Sequence, residues 1–485
     1  MKRLGRAGLG LLPDNVAVPQ YGDKDVQVGI VHFGVGNFHR AHQAMYLDRL
    51  MNVGLARDWA ICGVGLLERD VQMRDALLEQ DGLYTLTLRH PDGTDEISVI
   101  GSIPRFLYAP EQPEAVLAQL VCPDVRIVSL TITEGGYVAD PINGRNPEDD
   151  PLVAAEVASG LTQPRTAFGW IVAALRERRA RGIAPFTVLS CDNIPGNGGV
   201  CRLSVEGVAR LVDPQLAEWI AAEVAFPSTM VDRITPATAP ADLDRVREML
   251  GVEDAWPVAS EPFTQWVVED HFPTGRPPLE QVGVTLTADV EPYEAIKLRL
   301  LNGAHQAMAY LGQLAGFTYV DEACADPRFA GWLRAYIERE GVPTLTVPDG
   351  FDLPGYIEQL FERFGNPQVR DPLARLSVDT SNRIPKFLLP VVADRLAAGS
   401  SCPVGAAVLA AWRAGCRLAA QGRFTLDDAA ATSLVAAAGG DQRDFLTQVP
   451  TLAPFAANPG FVAAFERAAD LLDRGGPDAL IDGIK

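Results

Sequence analysis

The stretch that decides the fold is Val26-Gln-Val-Gly-Ile-Val-His-Phe33, followed directly by Gly34-Val35-Gly36-Asn37-Phe38-His39-Arg40. A near-continuous apolar run of this length reads as a strand buried on both faces, the habit of a parallel sheet. Two glycines one residue apart let the backbone turn tightly and approach a ligand. A helix starting near Asn37 aims its free N–H groups and positive dipole end back at that turn. A dinucleotide pyrophosphate requires this combination, so Gly34, Gly36, Asn37 and Phe38 are candidate cofactor contacts. The third glycine of the usual fingerprint is absent, with His39 in its place. Gly-x-Gly alone also describes a strand–helix turn with no ligand, and the surrounding pattern is what raises it above that.

Further apolar runs, Trp59–Leu66, Val125–Thr133 and Phe186–Cys191, alternate with amphipathic helical stretches. This predicts an α/β fold with a mostly parallel sheet covered by helices. Between them Tyr84–His90 and Glu96–Ile103 flank Pro91-Asp-Gly-Thr94, a hairpin signature that adds antiparallel strands. From about Glu291 helical periodicity takes over, through the Ala-rich Val404–Ala420 and Phe461–Leu472. The length of 485 residues exceeds what one core usually supports, and a boundary falls near 280–290.

Bulk properties exclude several classes. A formal charge of −20 argues against nucleic acid, which needs a Lys/Arg excess. No run approaches the ~18 apolar residues of a membrane span. Met1–Val16 carries Lys2, Arg3 and Arg6, but its short apolar run ends at Pro13 and Asp14, so it reads as an arm rather than a signal peptide. Seven cysteines without a Cys-x-x-Cys pair suit reduced thiols in a cytoplasmic protein.

The second strand ends at Leu66-Leu67-Glu68-Arg69-Asp70. A carboxylate here, from Glu68 or Asp70, would bind an adenosine ribose and repel a 2′-phosphate, favouring NAD over NADP. The separation from Gly36 exceeds the usual ~20 residues, implying an insertion. Arg69 offers a phosphate partner instead, so dual use stays open, and a solvated helix start accounts for any one of the three.

The most informative segment for chemistry is Glu294-Ala-Ile-Lys297-Leu-Arg-Leu-Leu-Asn302-Gly-Ala-His305. With Lys297 at zero on a uniform α-helix, Glu294 falls at about 60°, His305 at about 80° and Asn302 at about 140°. Ile296, Leu300, Ala304, Ala307 and Leu311 form the adjoining apolar stripe. Four polar groups thus share one side, expected at the seam between domains where substrates commonly bind. A solvated face explains Glu294 and Lys297. It explains Asn302 and His305 poorly, because Asn is a weak mid-helix residue.

This helix, with its Lys-x4-Asn-x2-His spacing, resembles that of the polyol-specific long-chain dehydrogenases and reductases, the mannitol dehydrogenase family. The resemblance extends through Gly34–His42, Thr131–Tyr137, Ser190–Gly198, Ser228–Pro236, Glu261–Glu269 and Ser381–Lys386, in order along the chain. It implies a Rossmann-like NAD-binding N-terminal domain with extra antiparallel strands (1–285), then a mostly α-helical substrate and catalytic domain (286–485). It implies oxidation of a secondary hydroxyl of an open-chain polyol, D-mannitol to D-fructose with NAD, by a cytoplasmic monomer. Lys297 is then the general base, whose pKa burial would lower. Asn193 and Asn302 steady the substrate oxygen, His305 anchors a hydroxyl, and Glu294 passes the proton to solvent. Glu134 and Asp232 line the pocket. Arg375, Arg383 and Lys386 are substrate-hydroxyl donors whose individual assignment is open, because Arg383 stands where family members can carry lysine.

His39-x2-His42 has half the spacing of a metal site but lacks companion ligands, so no metal is expected. Trp266, Phe263 and Val267 read as core, with Glu261 able to reach a cofactor cleft. D-arabinitol oxidation and hexuronate (fructuronate, tagaturonate) reduction are the neighbouring activities. A nucleotide-binding sensor on the same scaffold is the non-enzymatic alternative, disfavoured by the Lys297, Asn302, His305 and Asn193 set.

Overall fold

The computed structural model describes residues 2–139 and 144–484. It divides into two compact units, Met1–Val290 and Glu291–Lys485. The expected division at 285/286 falls earlier, and the strand Thr285–Thr287 is what keeps the intervening chain in the first unit, pairing with Gln265–Glu269.

In the first unit the decisive stretch forms β1 (Val28–Phe33), followed in chain order by β2 (Ala60–Gly65), β3 (Tyr84–Arg89), β4 (Asp95–Ile100), β5 (Arg105–Tyr108), β6 (Ile127–Leu130) and β7 (Thr187–Ser190). Strands β5-β2-β1-β6-β7 make one sheet in that spatial order, parallel throughout. This is the order of a Rossmann half, with its direction of travel reversing between β1 and β6. Alternate side chains enter different cores. Val31, Phe33, Cys62, Val64, Val128 and Leu130 pack under the helix Ala167–Ala180. Ile30, Ile61, Ile127 and Leu189 pack with Met45, Leu50 and Trp266. Burial on both faces explains the unbroken apolar strands.

The hairpin is present as expected. β3 and β4 pair antiparallel from Tyr84↔Ile100 to Arg89↔Asp95, and the strand Val258–Ser260 adds parallel to β3. A further antiparallel pair joins Thr229–Asp232 to Gln265–Glu269. The N-terminal arm is tied in, Lys2 and Arg3 pairing parallel with Val252 and Glu253. The second unit is helical. Its long helices Gly303–Leu314, Pro403–Ala420 and Pro459–Gly483 pack together, the last kinked where Gly476 takes φ +71° before Pro477. Among the described residues no helix is long and apolar enough to cross a membrane.

Where the sheet reverses direction, the chain leaving β1 passes close to the chain leaving β6. Gly34 has φ +92°, and a Cβ there would collide with the Thr131 carbonyl oxygen. Gly34→Ala therefore combines backbone strain with overpacking and should cost at least about 2 kcal/mol. Urea unfolding measures this, and an unchanged midpoint would refute the close approach.

Candidate functional site

The glycine turn is built from both sides. Thr131 donates its hydroxyl to the Gly34 carbonyl (2.8 Å), and its amide to Phe33 (3.0 Å). At Gly36, the cap of the helix Asn37–Ala41, a Cβ would meet nothing nearer than the Gly34 carbonyl oxygen at 3.9 Å. The space beside Gly36 is open, and a side chain would fill the room a pyrophosphate needs, so the turn fits a dinucleotide. Where the fingerprint's third glycine would permit close packing, the His39 ring stacks on His32 with centroids 3.4 Å apart. His32 is held by Ser129 (2.8 Å) and Thr131 (2.9 Å), and burial pushes its pKa down to about 3. His42 meets the Gln265 carbonyl oxygen at 3.0 Å, and burial pushes it to about 4. These neutral imidazoles are structural. Among the described residues no group of three or more His, Cys, Asp or Glu could hold a metal ion.

Other candidates acquire tertiary roles that spacing does not reveal. The Asn37 amide donates to the Pro236 carbonyl (3.0 Å) and Thr238 hydroxyl (2.9 Å), and its oxygen accepts from Arg40 (2.7 Å). Its side chain serves the fold, leaving the backbone N–H for a phosphate. Phe38 stacks on His42 at 4.9 Å. Asp70 accepts the amides of Leu66 (2.8 Å) and Leu67 (2.9 Å), fixing the turn after β2, whereas Glu68 is exposed. Glu134 is exposed on a one-turn helix after β6, preceded by Thr133 at φ +62°. Asp192, unmarked in the sequence reading, holds that turn. It accepts the amides of Ile132 (3.1 Å) and Thr133 (2.8 Å) and the Tyr137 hydroxyl (2.8 Å), beside partly buried Asn193. Asp232 is buried at the end of its strand, opposite Gln265. Trp266 and Val267 are core, Phe263 is half-buried, and buried Glu261 accepts the Ile234 amide (2.6 Å).

In the second unit the expectation of a uniform α-helix is corrected. The chain winds an α-helix over Glu291–Ile296, a π turn over Lys297–Asn302, and α-helix again from Gly303. The Gly303 amide reaches back to Leu298, the i→i+5 step that defines the π form. The π form winds fewer degrees per residue than the α form, so Lys297 and Asn302 come closer in angle than the about 140° that an α-helix sets between them. Lys297 is 6% exposed and His305 7%, while Glu294 and Asn302 are half-buried. Asn302 Oδ1 and His305 Nε2 are buried with no hydrogen-bond partner among the described residues.

His305 lies at 5.3 Å from the Phe364 ring. Burial first, then the positive charges of Arg375, Arg363, Lys297 and Arg383, hold its pKa well below the usual histidine value. These candidates thus share one neighbourhood, joined by Arg363, which no sequence spacing marked. Arg375 is gripped bidentately by Asp371 (Nε to Oδ1 2.6 Å), and Arg383 donates to the Arg375 carbonyl (3.1 Å). Lys386 is half-buried on the same helix as Arg383.

A Rossmann-ordered sheet with an open glycine turn, in a chain that also carries a helical unit with a buried lysine, is the architecture of dinucleotide-dependent dehydrogenases. Residues 28–281 match the mannitol dehydrogenase Rossmann domain and residues 289–472 the mannitol dehydrogenase C-terminal domain. The chain belongs to the mannitol dehydrogenase family. It is 43% identical to a mannitol 2-dehydrogenase of Phaeosphaeria nodorum over 486 residues, covering 96% of this chain and 83% of that one. A mannitol 2-dehydrogenase of Aspergillus fumigatus is 47% identical over 386 residues, covering 79% and 77%. The solved Pseudomonas fluorescens mannitol 2-dehydrogenase, a ternary complex with NAD and D-mannitol, matches with a TM-score of 0.89 at 41% identity over 99% of each chain. A substrate-free D-sorbitol dehydrogenase matches with the same TM-score at 35% identity, over 99% of this chain and 100% of that one.

Burial first, and then the surrounding charges, disfavour the imidazolium form of His305, which is therefore reached only below the ordinary histidine range. NMR titration of the ring should find His305 neutral throughout pH 6–9, a span chosen as roughly the range around the unperturbed pKa. A midpoint at or above ~6.5 would contradict the cationic surround.

Proposed function

We propose that the chain is a metal-independent, NAD-dependent polyol dehydrogenase that interconverts D-mannitol and D-fructose, with Lys297 as general base. The observation that carries this reading is the placement of buried Lys297 and of Asn302 at the two ends of one π turn. The relative that binds NAD and D-mannitol together supports the choice of cofactor and substrate.

Bound NAD supplies the hydride acceptor for the carbinol carbon. Gly34, Gly36 and the amides of Asn37 and Phe38 receive its pyrophosphate, Glu68 its ribose, and Glu134 borders it. Neutral Lys297 takes the hydroxyl proton as the carbon loses hydride, and its burial disfavours the ammonium form. Asn302 and Asn193 donate to the oxygen as it becomes a carbonyl. Neutral His305 hydrogen-bonds a neighbouring hydroxyl, and Glu294 relays the proton outward. Asp232, Arg375, Arg383 and Lys386 bind the remaining hydroxyls. The seven free cysteines fit a reducing cytoplasm, and the working unit is a monomer.

The cations around His305 favour one second reading, a hexuronate whose carboxylate they would pair. Reduced-nicotinamide absorbance with D-mannitol, D-sorbitol, D-arabinitol, fructuronate and tagaturonate decides between them. Turnover confined to the uronates would remove the polyol assignment.

Lys297→Ala should lower turnover at least ~100-fold and abolish the acidic limb of the pH profile, and wild-type activity should survive exhaustive chelation. A mutant with wild-type turnover at every pH would remove lysine from the mechanism. Glu68→Gln should shift relative kcat/KM toward NADP by about 5- to 100-fold, the scale of one lost charged hydrogen bond. An unmoved ratio would mean that Glu68 does not read the ribose.

A further inference from the structure

The helical unit contains a second π turn, Tyr336–Gly341, packed against the first. Two glycines allow the approach. A Cβ at Gly303 would collide with the Tyr336 hydroxyl, and one at Gly341 would stand 2.7 Å from Leu300 Cδ2. An α-helix would send the Gly303 amide to the Arg299 carbonyl, but here it goes to Leu298 and Leu300. The Arg299 carbonyl accepts the Tyr336 hydroxyl at 3.1 Å. Tyr336 is fully buried, and burial pushes its phenol well above the usual value, so it remains a donor. The second turn is anchored in its own right. Buried Glu340 accepts the amides of Val404 (2.7 Å) and Gly405 (2.8 Å) and the Cys402 thiol (2.9 Å) at the start of the helix Pro403–Ala420.

We propose that Tyr336 is a positioning residue that keeps Lys297–Asn302 in π register, by occupying the Arg299 carbonyl that α geometry would return to Gly303. This rests on the reading of Lys297 as the base. Without the hydroxyl, Arg299 regains its α partner, and Asn302 returns to the α position about 140° from Lys297. The lysine then loses the amide that shares its substrate oxygen, with no change in the cofactor turn.

Tyr336→Phe keeps the ring and removes the donor. The kcat for D-mannitol oxidation should fall by about 10- to 100-fold, the scale of a misplaced catalytic group, while KM for NAD stays unchanged. Gly303→Ala presses a methyl onto the hydroxyl and should lower kcat similarly. Adding Tyr336→Phe removes the colliding atom, so the double variant should be no slower than either single one, whereas independent structural damage would multiply. Lys297→Ala is assayed alongside. If it is inactive while Tyr336→Phe retains wild-type kcat, the positioning role is overturned and the base reading stands. If Lys297→Ala retains turnover, the base reading fails on its own terms. A crystal structure of Tyr336→Phe reports the register directly, and a π turn retained over Lys297–Asn302 overturns the proposal whatever the kinetics.

Discussion

A regular α-helix sets residues five apart about 140° from each other, and the helical unit departs from that rule where its buried lysine stands. One i→i+5 step, from the Gly303 amide back to Leu298, narrows the angle between a buried amine and an amide. The step disturbs the regular pairing of neighbouring carbonyls and widens the helix, and the surroundings accommodate both changes. Gly303 and Gly341 make room, the Tyr336 hydroxyl serves the Arg299 carbonyl, and the Arg299 side chain is fixed to the Thr344 carbonyl at 2.7 Å. Burial, and then the guanidinium groups of Arg375, Arg363 and Arg383, hold His305 neutral in a chain whose overall charge is −20. Local electrostatics here runs opposite to the bulk.

The first unit meets a comparable demand by different means. Its strand order brings two chain exits together, and only a glycine tolerates the distance between Gly34 and Thr131. The helix that follows lies close enough for the His39 and His32 rings to stack, so an aromatic pair stands where a smaller residue is customary. Asp192 performs a related service for the next loop, its carboxylate collecting two amides and a phenol. In both units the candidate ligand contacts are few, and the residues that hold them in place are buried and distant in sequence.

That separation sets what the sequence discloses. The strands were legible because Val28–Phe33, Ala60–Gly65 and Thr187–Ser190 are apolar on both faces, and the hairpin because Pro91-Asp-Gly-Thr94 can do little but turn. The presence of Lys297, Asn302 and His305 was legible, but their relative angle was not. A regular 3.6-residue period assumes the hydrogen bonding that the π turn abandons. The side chains of Asn37 and Asp70 looked like ligand contacts because their partners are invisible to local reasoning. The Asn37 amide meets Pro236, about two hundred residues on, and Asp70 turns back on its own loop. Arg363 and Tyr336 carry no local mark, since a lone arginine or tyrosine on an amphipathic helix looks like any other.

The cysteines have a practical side. All seven are free, and five are buried. Burial raises the thiols of Cys62 and Cys416 to about 12, and that of partly exposed Cys324 to about 12 as well, so thiolate is scarce at each. Cys122, part-exposed at the end of the helix Pro113–Val121, and Cys324 are the two cysteines that are not buried. Alkylating reagents act on thiolates that solvent can reach. The native protein therefore offers Cys122 as its natural attachment point for a fluorophore or spin label, without any background cysteine first having to be engineered away.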